Sequence, residues 1–136
     1  MVKLFAGLAG TGKTKNIIEM VNKTAREDNG QVVCIERGNK LRYDIINAVR
    51  LIDSSEFDIQ GFQVMRGVIT GLYVGNFDIT HIFIDSLHKV AKMDDIGDLE
   101  KFFVWMKQFG KSHGINFVVS VGISEDKLTE QLREFL

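Results

Sequence analysis

Eight residues near the start of the sequence have the types and spacing of a phosphate-binding loop. The stretch GLAGTGKT, at positions 7–14, follows the pattern G-x-x-x-x-G-K-[ST] and comes directly after the apolar run VKLFA. Glycines allow unusual backbone dihedrals and leave no Cβ between the backbone and a bound anion. The inward N–H groups of such a turn, with a helix N-terminus behind them, can hold a polyphosphate. The stretch therefore predicts a nucleoside triphosphate site.

The residues of this stretch have separate expected roles. The Lys13 ammonium can reach the β- and γ-phosphates, and the Thr14 hydroxyl can bind Mg²⁺. The other interpretation is a glycine turn with a purely structural purpose. The residues expected to bind the phosphates are Gly7, Leu8, Ala9, Gly10, Thr11, Gly12, Lys13, Thr14 and Lys15.

A second candidate site residue is Asp85, which follows the short run HIFI. In open α/β sheets, ligands collect at the carboxyl ends of the strands. Mg²⁺ prefers oxygen ligands, keeps several waters and needs few protein ligands. Thr14 and Asp85 are therefore the predicted metal ligands. The alternative is that Asp85 caps the following turn through Ser86 or Leu87.

The elements that must position these residues can be read from the apolar patterns. Short β-branched runs alternate with longer helical patterns, which is typical of βαβ units around a parallel sheet. Residues 54–60 fit either a short strand or a loop. The predicted strands are 2–6, 31–36, 80–85 and 115–122. The predicted helices are 13–27, 40–52, 62–73 and one between 97 and 113, followed by an amphipathic helix capped by Ser124.

Bulk properties exclude several classes of protein. The 136 residues carry a net charge of −1, and the 17 basic residues are spread along the chain, so nothing indicates a nucleic-acid partner. No apolar run reaches the ~18 residues of a membrane span and no signal peptide is evident, which predicts a cytoplasmic protein. A single cysteine, Cys34, excludes an internal disulfide. The histidines have no metal-ligand spacing and are expected at solvated or strand-edge positions: His81, His88 and His113.

With these motifs the chain resembles the P-loop NTPase superfamily, with GLAGTGKT as Walker A and HIFIDS as Walker B. The stretches CIERGN and IDSL are similar to those of its RecA/KaiC-like (ASCE) branch. The resemblance implies a three-layer α/β P-loop fold, a mainly parallel sheet of four to five strands in the order 1-4-3-2, and a single minimal domain over residues 1–136. It also implies that a glutamate at the end of strand two activates the attacking water, and Glu36 occupies that position.

Glu36 is thus a candidate catalytic residue together with Lys13, but it has a second interpretation. A charged residue at this position can simply leave the buried strand for solvent, paired with Arg37. The sequence also departs from the RecA/KaiC-like pattern. Such proteins continue with further strands and with Lys or Arg fingers, whereas this sequence ends at Leu136, and Ser86 follows Asp85 where many ATPases have a glutamate. We expect slow hydrolysis, because an arginine finger contributes ~10³–10⁵ in rate.

Three functions fit these observations. The first is a Mg²⁺-dependent ATP-binding protein with slow hydrolysis, working as a homo-oligomer. The second is a non-hydrolysing nucleotide-binding switch module. The third is a small-molecule kinase, which is disfavoured because Arg133 is the only arginine after Asp85. The helix between 97 and 113 has a wide apolar face that includes Trp105; core packing is the expected role of this face, and self-association is the alternative.

Overall fold

A parallel sheet of five strands forms the centre of the computed structural model, which describes residues 1–136. The strands are β1 (Val2–Ala6), β2 (Gln31–Glu36), β3 (Arg50–Asp53), β4 (Ile79–Ile84) and β5 (Asn116–Val121). The helices are α1 (Lys13–Glu27), α2 (Gly61–Gly75), α3 (Leu87–Val90), α4 (Ile96–His113) and α5 (Glu130–Arg133). Two 3₁₀ turns, Ser54–Glu56 and Glu125–Lys127, complete the elements.

The strand order is β1-β5-β4-β2-β3, and every neighbouring pair is parallel. The four predicted strands correspond to β1, β2, β4 and β5, and they lie in the expected order. The order differs in one detail, because an unpredicted fifth strand, β3, pairs with β2 at the edge. Since all strands run the same way, their carboxyl ends meet at one edge of the sheet.

Helices cover both faces of the sheet, which explains why its strands are continuous apolar runs. On β2, Val33 and Ile35 join a core formed with α2 and α4, whereas Val32 and Cys34 face α1. The three long helices α1, α2 and α4 confirm the corresponding predictions. Trp105 of α4 is partly buried against the core on the α2 and α4 side of the sheet. None of the helices combines the length and apolar character that a bilayer crossing requires.

The predicted helix over 40–52 is wrong. Residues 37–49 form turns and bends, and the chain then enters β3. Asn22 of α1 explains the difference, because its Nδ2 donates to the Asp44 carbonyl at 2.7 Å and its Oδ1 accepts from the Ile46 N–H at 3.0 Å. These bonds satisfy backbone groups that a helix would otherwise pair. The apolar residues at helical spacing are nevertheless buried: Leu41, Ile45 and Val49.

The predicted continuous helix after Ser124 is also wrong. The segment forms the 3₁₀ turn Glu125–Lys127 and the short helix α5, and the Ser124 side chain makes no capping bond. Between the two pieces Leu128 has extended dihedrals, φ −71° and ψ 140°. Thr129 then begins α5 by accepting from the Leu132 N–H at 3.3 Å. The segment ends against β1, where the Leu4 N–H donates to the Phe135 carbonyl at 2.7 Å.

Asp28 stabilises the end of the sheet where the strands begin, opposite their carboxyl ends. Its carboxylate accepts from the Gly30 N–H at 3.2 Å and from the Thr80 hydroxyl, and it lies 3.5 Å from His81 Nδ1. These contacts, the Thr80 hydroxyl first, hold the pKa of Asp28 below its ordinary value. Asp28 therefore joins the end of α1 to the start of β4.

Replacing this carboxylate should destabilise the fold in a pH-dependent way. We expect Asp28→Asn to lower the free energy of unfolding at pH 7 by about 1 kcal/mol, since charge-assisted hydrogen bonds are lost. A lowered pKa means that the stabilisation is complete above the ordinary value of 3.8 and is lost as the pH falls through the lowered pKa. Urea denaturation at several pH values measures the difference. Asp58→Asn is the matched control, because Asp58 is exposed and its side chain makes no hydrogen bond; an equal loss in both variants would contradict the assignment.

Candidate functional site

The loop between β1 and α1 presents a row of unpaired backbone donors. Gly10 and Gly12 have φ values of 85° and 84°, in the left-handed region that favours glycine. Gly12 precedes α1 without a side chain that could satisfy the first turn. The N–H groups of Gly10, Gly12, Lys13, Thr14 and Lys15 make no backbone hydrogen bond. The loop is therefore able to donate several hydrogen bonds to one anion.

The Lys13 ammonium lies within this loop. Its Nζ donates to the Leu8 carbonyl at 3.0 Å, and the same carbonyl accepts from the Thr11 hydroxyl at 2.7 Å. Burial lowers the pKa of Lys13; the Asp85 carboxylate opposes this effect and Lys89 adds to it. No carboxylate lies within 4.0 Å of the Lys13 ammonium. The protein has one ion pair at that distance, between Asp28 and His81. The positive charge is thus held by a neutral carbonyl and remains available to an anion.

The Asp85 carboxylate meets the start of α1. The Thr14 hydroxyl lies 3.3 Å and 3.5 Å from the two Asp85 carboxylate oxygens. Ser120 of β5 donates to Asp85 Oδ1 at 3.1 Å and accepts from the Ser86 N–H at 2.7 Å. That second bond holds Ser86 at φ 57°, an unfavourable conformation for a residue with a Cβ. Asp85 contacts Thr14 and Ser120 and does not cap the following turn through Ser86 or Leu87.

The oxygens of Thr14 and Asp85 suit a hard divalent cation that takes its other ligands elsewhere. Both are oxygen donors, which Mg²⁺ prefers. No group of three or more His, Cys, Asp or Glu side chains is arranged to hold a metal ion. A metal at this position would complete its coordination with phosphate oxygens and water. The residues therefore fit Mg²⁺ bound together with a nucleotide better than a metal bound alone.

A cavity of about 630 Å³ lies against the loop and the ends of β4 and β5. Its volume is within the ordinary range for a small-molecule site. The lining includes Lys13, Lys15 and Lys89, together with Ser86 and His88, and contains no carboxylate. Such a basic and polar lining complements a polyphosphate better than an aromatic base.

Glu36 lies beside Asp85 in the sheet, since the Asp85 N–H donates to the carbonyl of the preceding residue, Ile35, at 2.9 Å. Only 3% of its surface is exposed, and it forms no ion pair with Arg37, so the solvent-exposed interpretation is wrong. Its Oε2 accepts from the Leu41 N–H at 3.0 Å. Burial raises the pKa of Glu36, the Leu41 bond opposes this, and Asp85 raises it further. The carboxylate does not line the cavity, and its action on a water stays a prediction.

His88 lines the cavity although the sequence patterns did not indicate it. Its Nδ1 accepts from the Gly122 N–H at 3.0 Å. Burial lowers the pKa of His88, and Lys89 and Lys13 lower it further. The available signal was its position three residues after Asp85, at the carboxyl end of β4. The other two histidines lie elsewhere, His81 beside Asp28 and His113 against Tyr73.

The five-strand parallel sheet with helices on both faces is a three-layer α/β fold, consistent with a P-loop-like architecture. No protein-family model and no curated protein matches the chain. Among solved structures, the chain is similar to the flagellar accessory protein FlaH from Methanocaldococcus jannaschii, with a TM-score of 0.60 and 15% identity. The match covers 98% of this chain and 65% of that chain, so the chain spans less than two thirds of FlaH. A likeness at this identity shows the fold alone.

The hydroxyl of Ser120 should contribute measurably to stability. Ser120 is completely buried and serves both Asp85 and the Ser86 N–H. We expect Ser120→Ala to lower the free energy of unfolding by about 1–3 kcal/mol, because a buried donor and acceptor lose their partner. Chemical denaturation measures the change. Ser112→Ala, at an exposed position of α4, should change stability by less than about 0.5 kcal/mol. Similar values for the two variants would show that the Ser120 contacts contribute nothing.

Proposed function

We propose that the protein binds a nucleoside triphosphate, ATP, together with Mg²⁺ at the carboxyl edge of the sheet. The main support is the convergence of the loop's unpaired N–H groups and Lys13 on a cavity next to the Thr14–Asp85 contact. A cradle of this kind complements successive phosphate groups, and the adjacent oxygen ligands complement their counter-ion.

Each group has a defined part in this proposal. The loop amides and Lys13 hold the phosphates, and Thr14 and Asp85 hold the metal. When bound, Mg²⁺ offsets the charge on the β- and γ-phosphate oxygens. The side chains of Leu8, Ala9 and Thr11 have no role in the contacts, because the backbone supplies them. The choice of ATP over GTP rests on the resemblance to RecA/KaiC-like proteins. Self-association rests instead on the wide apolar face of α4 that includes Trp105.

We further propose slow hydrolysis, with Glu36 orienting and deprotonating the attacking water. A general base acts best when its pKa is near the working pH, and burial raises the pKa of Glu36 in that direction. Its position beside Asp85 supports the same role. The bond from the Leu41 N–H acts against it, because a carboxylate engaged by its own loop is less available to a water.

A second candidate function is a nucleotide-binding module without turnover. Two observations favour it: the Glu36 carboxylate already has a partner in Leu41, and no arginine lines the cavity. The same absence of arginine from the lining gives less support to a small-molecule kinase, because such kinases usually close an arginine-rich lid over the phosphates.

Nucleotide binding should appear as thermal stabilisation that depends on Lys13. We expect Mg-ATP at about 100 times its Kd to raise the free energy of unfolding by about 2.7 kcal/mol. Lys13→Ala should remove most of this gain, because the cation at the phosphates is lost. Lys23→Ala is the matched control, since Lys23 is an exposed lysine further along α1. Differential scanning fluorimetry with ATP, GTP and ADP measures the shift and the base preference.

Three outcomes of this experiment have different meanings. No stabilisation of the unchanged protein at saturating ATP, GTP or ADP contradicts the proposal. An equal shift in Lys13→Ala and in the unchanged protein contradicts the assignment of the site. Loss of the shift in both lysine variants indicates a general effect of charge.

Turnover should depend on Glu36, whereas binding should not. We expect Glu36→Gln to reduce phosphate release from Mg-ATP by about 10²–10⁴-fold, because glutamine accepts the Leu41 bond but cannot take a proton. Burial raises the pKa of this carboxyl, so ionisation destabilises the fold as the pH rises through that pKa. Glu36→Gln, which cannot ionise, should therefore become more stable than the unchanged protein as the pH rises through the raised pKa of Glu36. Equal phosphate release from both proteins would exclude Glu36 as the base, and no release from either favours the second candidate function.

A further inference from the structure

The imidazole ring of His88 is fixed in one orientation by Gly122. Its Nδ1 accepts from the Gly122 N–H, and a Cβ built on Gly122 would lie 2.6 Å from Cε1 and 2.7 Å from Nε2 of the ring. The ring therefore lies directly on the Gly122 backbone, in a space that only glycine leaves open. Because Nδ1 accepts a hydrogen bond, the neutral ring carries its proton on Nε2.

The Nε2–H group of His88 has no partner among the protein's side-chain hydrogen bonds, although the ring lines the cavity next to the loop. A ring held in place by one nitrogen, with a free donor on the other, is a positioned hydrogen-bond donor. Its support comes from Gly122, the residue directly after β5, and β5 itself supplies Ser120 to the Asp85 carboxylate. One strand and the residue that follows it thus position both the predicted metal ligand and this donor.

Lys89 follows His88 and lines the same cavity without a carboxylate within 4.0 Å of its ammonium. Together with Lys13 and Lys15 it places three cations around one space. Like charges repel, and an anion of several charges that fills this space would offset the repulsion between them. Lys13 and Lys15 belong to the loop side of the cavity, whereas His88 and Lys89 belong to α3, which begins two residues after Asp85.

This arrangement gives the cavity two walls with different chemistry. The loop wall donates mainly backbone N–H groups, and the α3 wall donates the His88 imidazole and the Lys89 ammonium. The α3 wall stands beside Asp85, where the predicted metal ligands meet. A phosphate chain that runs along the loop towards Thr14 and Asp85 would bring its terminal group to this wall.

We propose that His88 and Lys89 bind the terminal phosphate of the nucleotide and make the site selective for a triphosphate over a diphosphate. This inference rests on the proposed function, and it assigns positioning and specificity to residues outside the Walker motifs. Charge-assisted hydrogen bonds of this kind change affinity by about tenfold or more.

The test uses the full chain and compares affinities for Mg-ATP and Mg-ADP by isothermal titration calorimetry. His88→Asn keeps an acceptor near the Nδ1 position but lacks a donor at the Nε2 position, whereas His88→Gln restores an amide donor there. We expect His88→Asn and Lys89→Met to weaken Mg-ATP binding about tenfold and to change Mg-ADP binding less than about twofold. His88→Gln should retain most of the preference for ATP. Lys111→Met, an exposed lysine at the other end of the sheet, should behave as the unchanged protein.

The failure of this inference differs from the failure of the proposed function. If the unchanged protein binds neither nucleotide, the proposed function fails and the inference fails with it. If it binds both and Lys13→Ala abolishes binding, but His88→Asn and Lys89→Met keep the ATP-to-ADP ratio, the inference alone is overturned. Equal loss of ATP and ADP affinity in these variants also overturns it, because selectivity is then unchanged.

A measurement on the unchanged protein covers the case in which a variant does not fold. Nitrogen NMR of the imidazole groups should find His88 as the Nε2–H tautomer without nucleotide. A non-hydrolysable ATP analogue should shift the His88 Nε2 resonance, and Mg-ADP should leave it nearly unchanged. The same shift with both nucleotides, or with neither, contradicts the proposal.

Discussion

The contact between Thr14 and Asp85 joins two parts of the chain that are 71 residues apart, and the candidate site depends on it. The two residues follow β1 and β4, which are not neighbours, because β5 lies between them. Ser120 stands in that intervening strand, opposite Phe5 of β1, and donates to the Asp85 carboxylate. The carboxylate is therefore positioned by the strand that comes last in the sequence. In this strand order the loop after β1 and the acid after β4 both lie beside the carboxyl end of β5.

Local patterns predicted the parts of the site but not all of the elements around them. GLAGTGKT directly follows β1, and HIFID ends in the acid directly after β4, so both short motifs could be recognised from the sequence alone. The segment 40–52 was misread because Leu41, Ile45 and Val49 have helical spacing and are buried, yet Asn22 of α1 supplies the bonds that replace a helix. β3 has only four residues, too few for an alternating pattern to stand out.

His88 shows why other functional candidates could not be found in this way. Its orientation depends on Gly122, which is 34 residues away in the sequence and comes close only because β4 and β5 pair in parallel. A histidine in a short helical segment has no distinctive local pattern. Glu36 is similar, since its burial and its bond to Leu41 follow from the path of the loop after β2. Roles that depend on tertiary contacts leave no spacing to recognise.

The two ends of the parallel strands differ in how well their polar groups are satisfied. At the edge where the strands begin, the Asp28 carboxylate is satisfied by Gly30 and Thr80. At the other edge, several N–H groups have no backbone partner, Ser86 has a left-handed φ, and lysines share one cavity. Unfavourable features of this kind persist only where the surrounding structure imposes them, and they concentrate at functional sites.

The hydrogen bond from the Leu41 N–H to the Glu36 carboxylate opposes the proposed role of Glu36 as a base. If the carboxylate leaves this bond, the buried N–H loses its partner at a penalty of about 1–3 kcal/mol. Each 1.4 kcal/mol of that penalty lowers the population of the released carboxylate about tenfold. The two proposed functions, slow turnover and binding without turnover, would therefore be two ranges of one equilibrium, set by how firmly the loop after β2 holds Glu36.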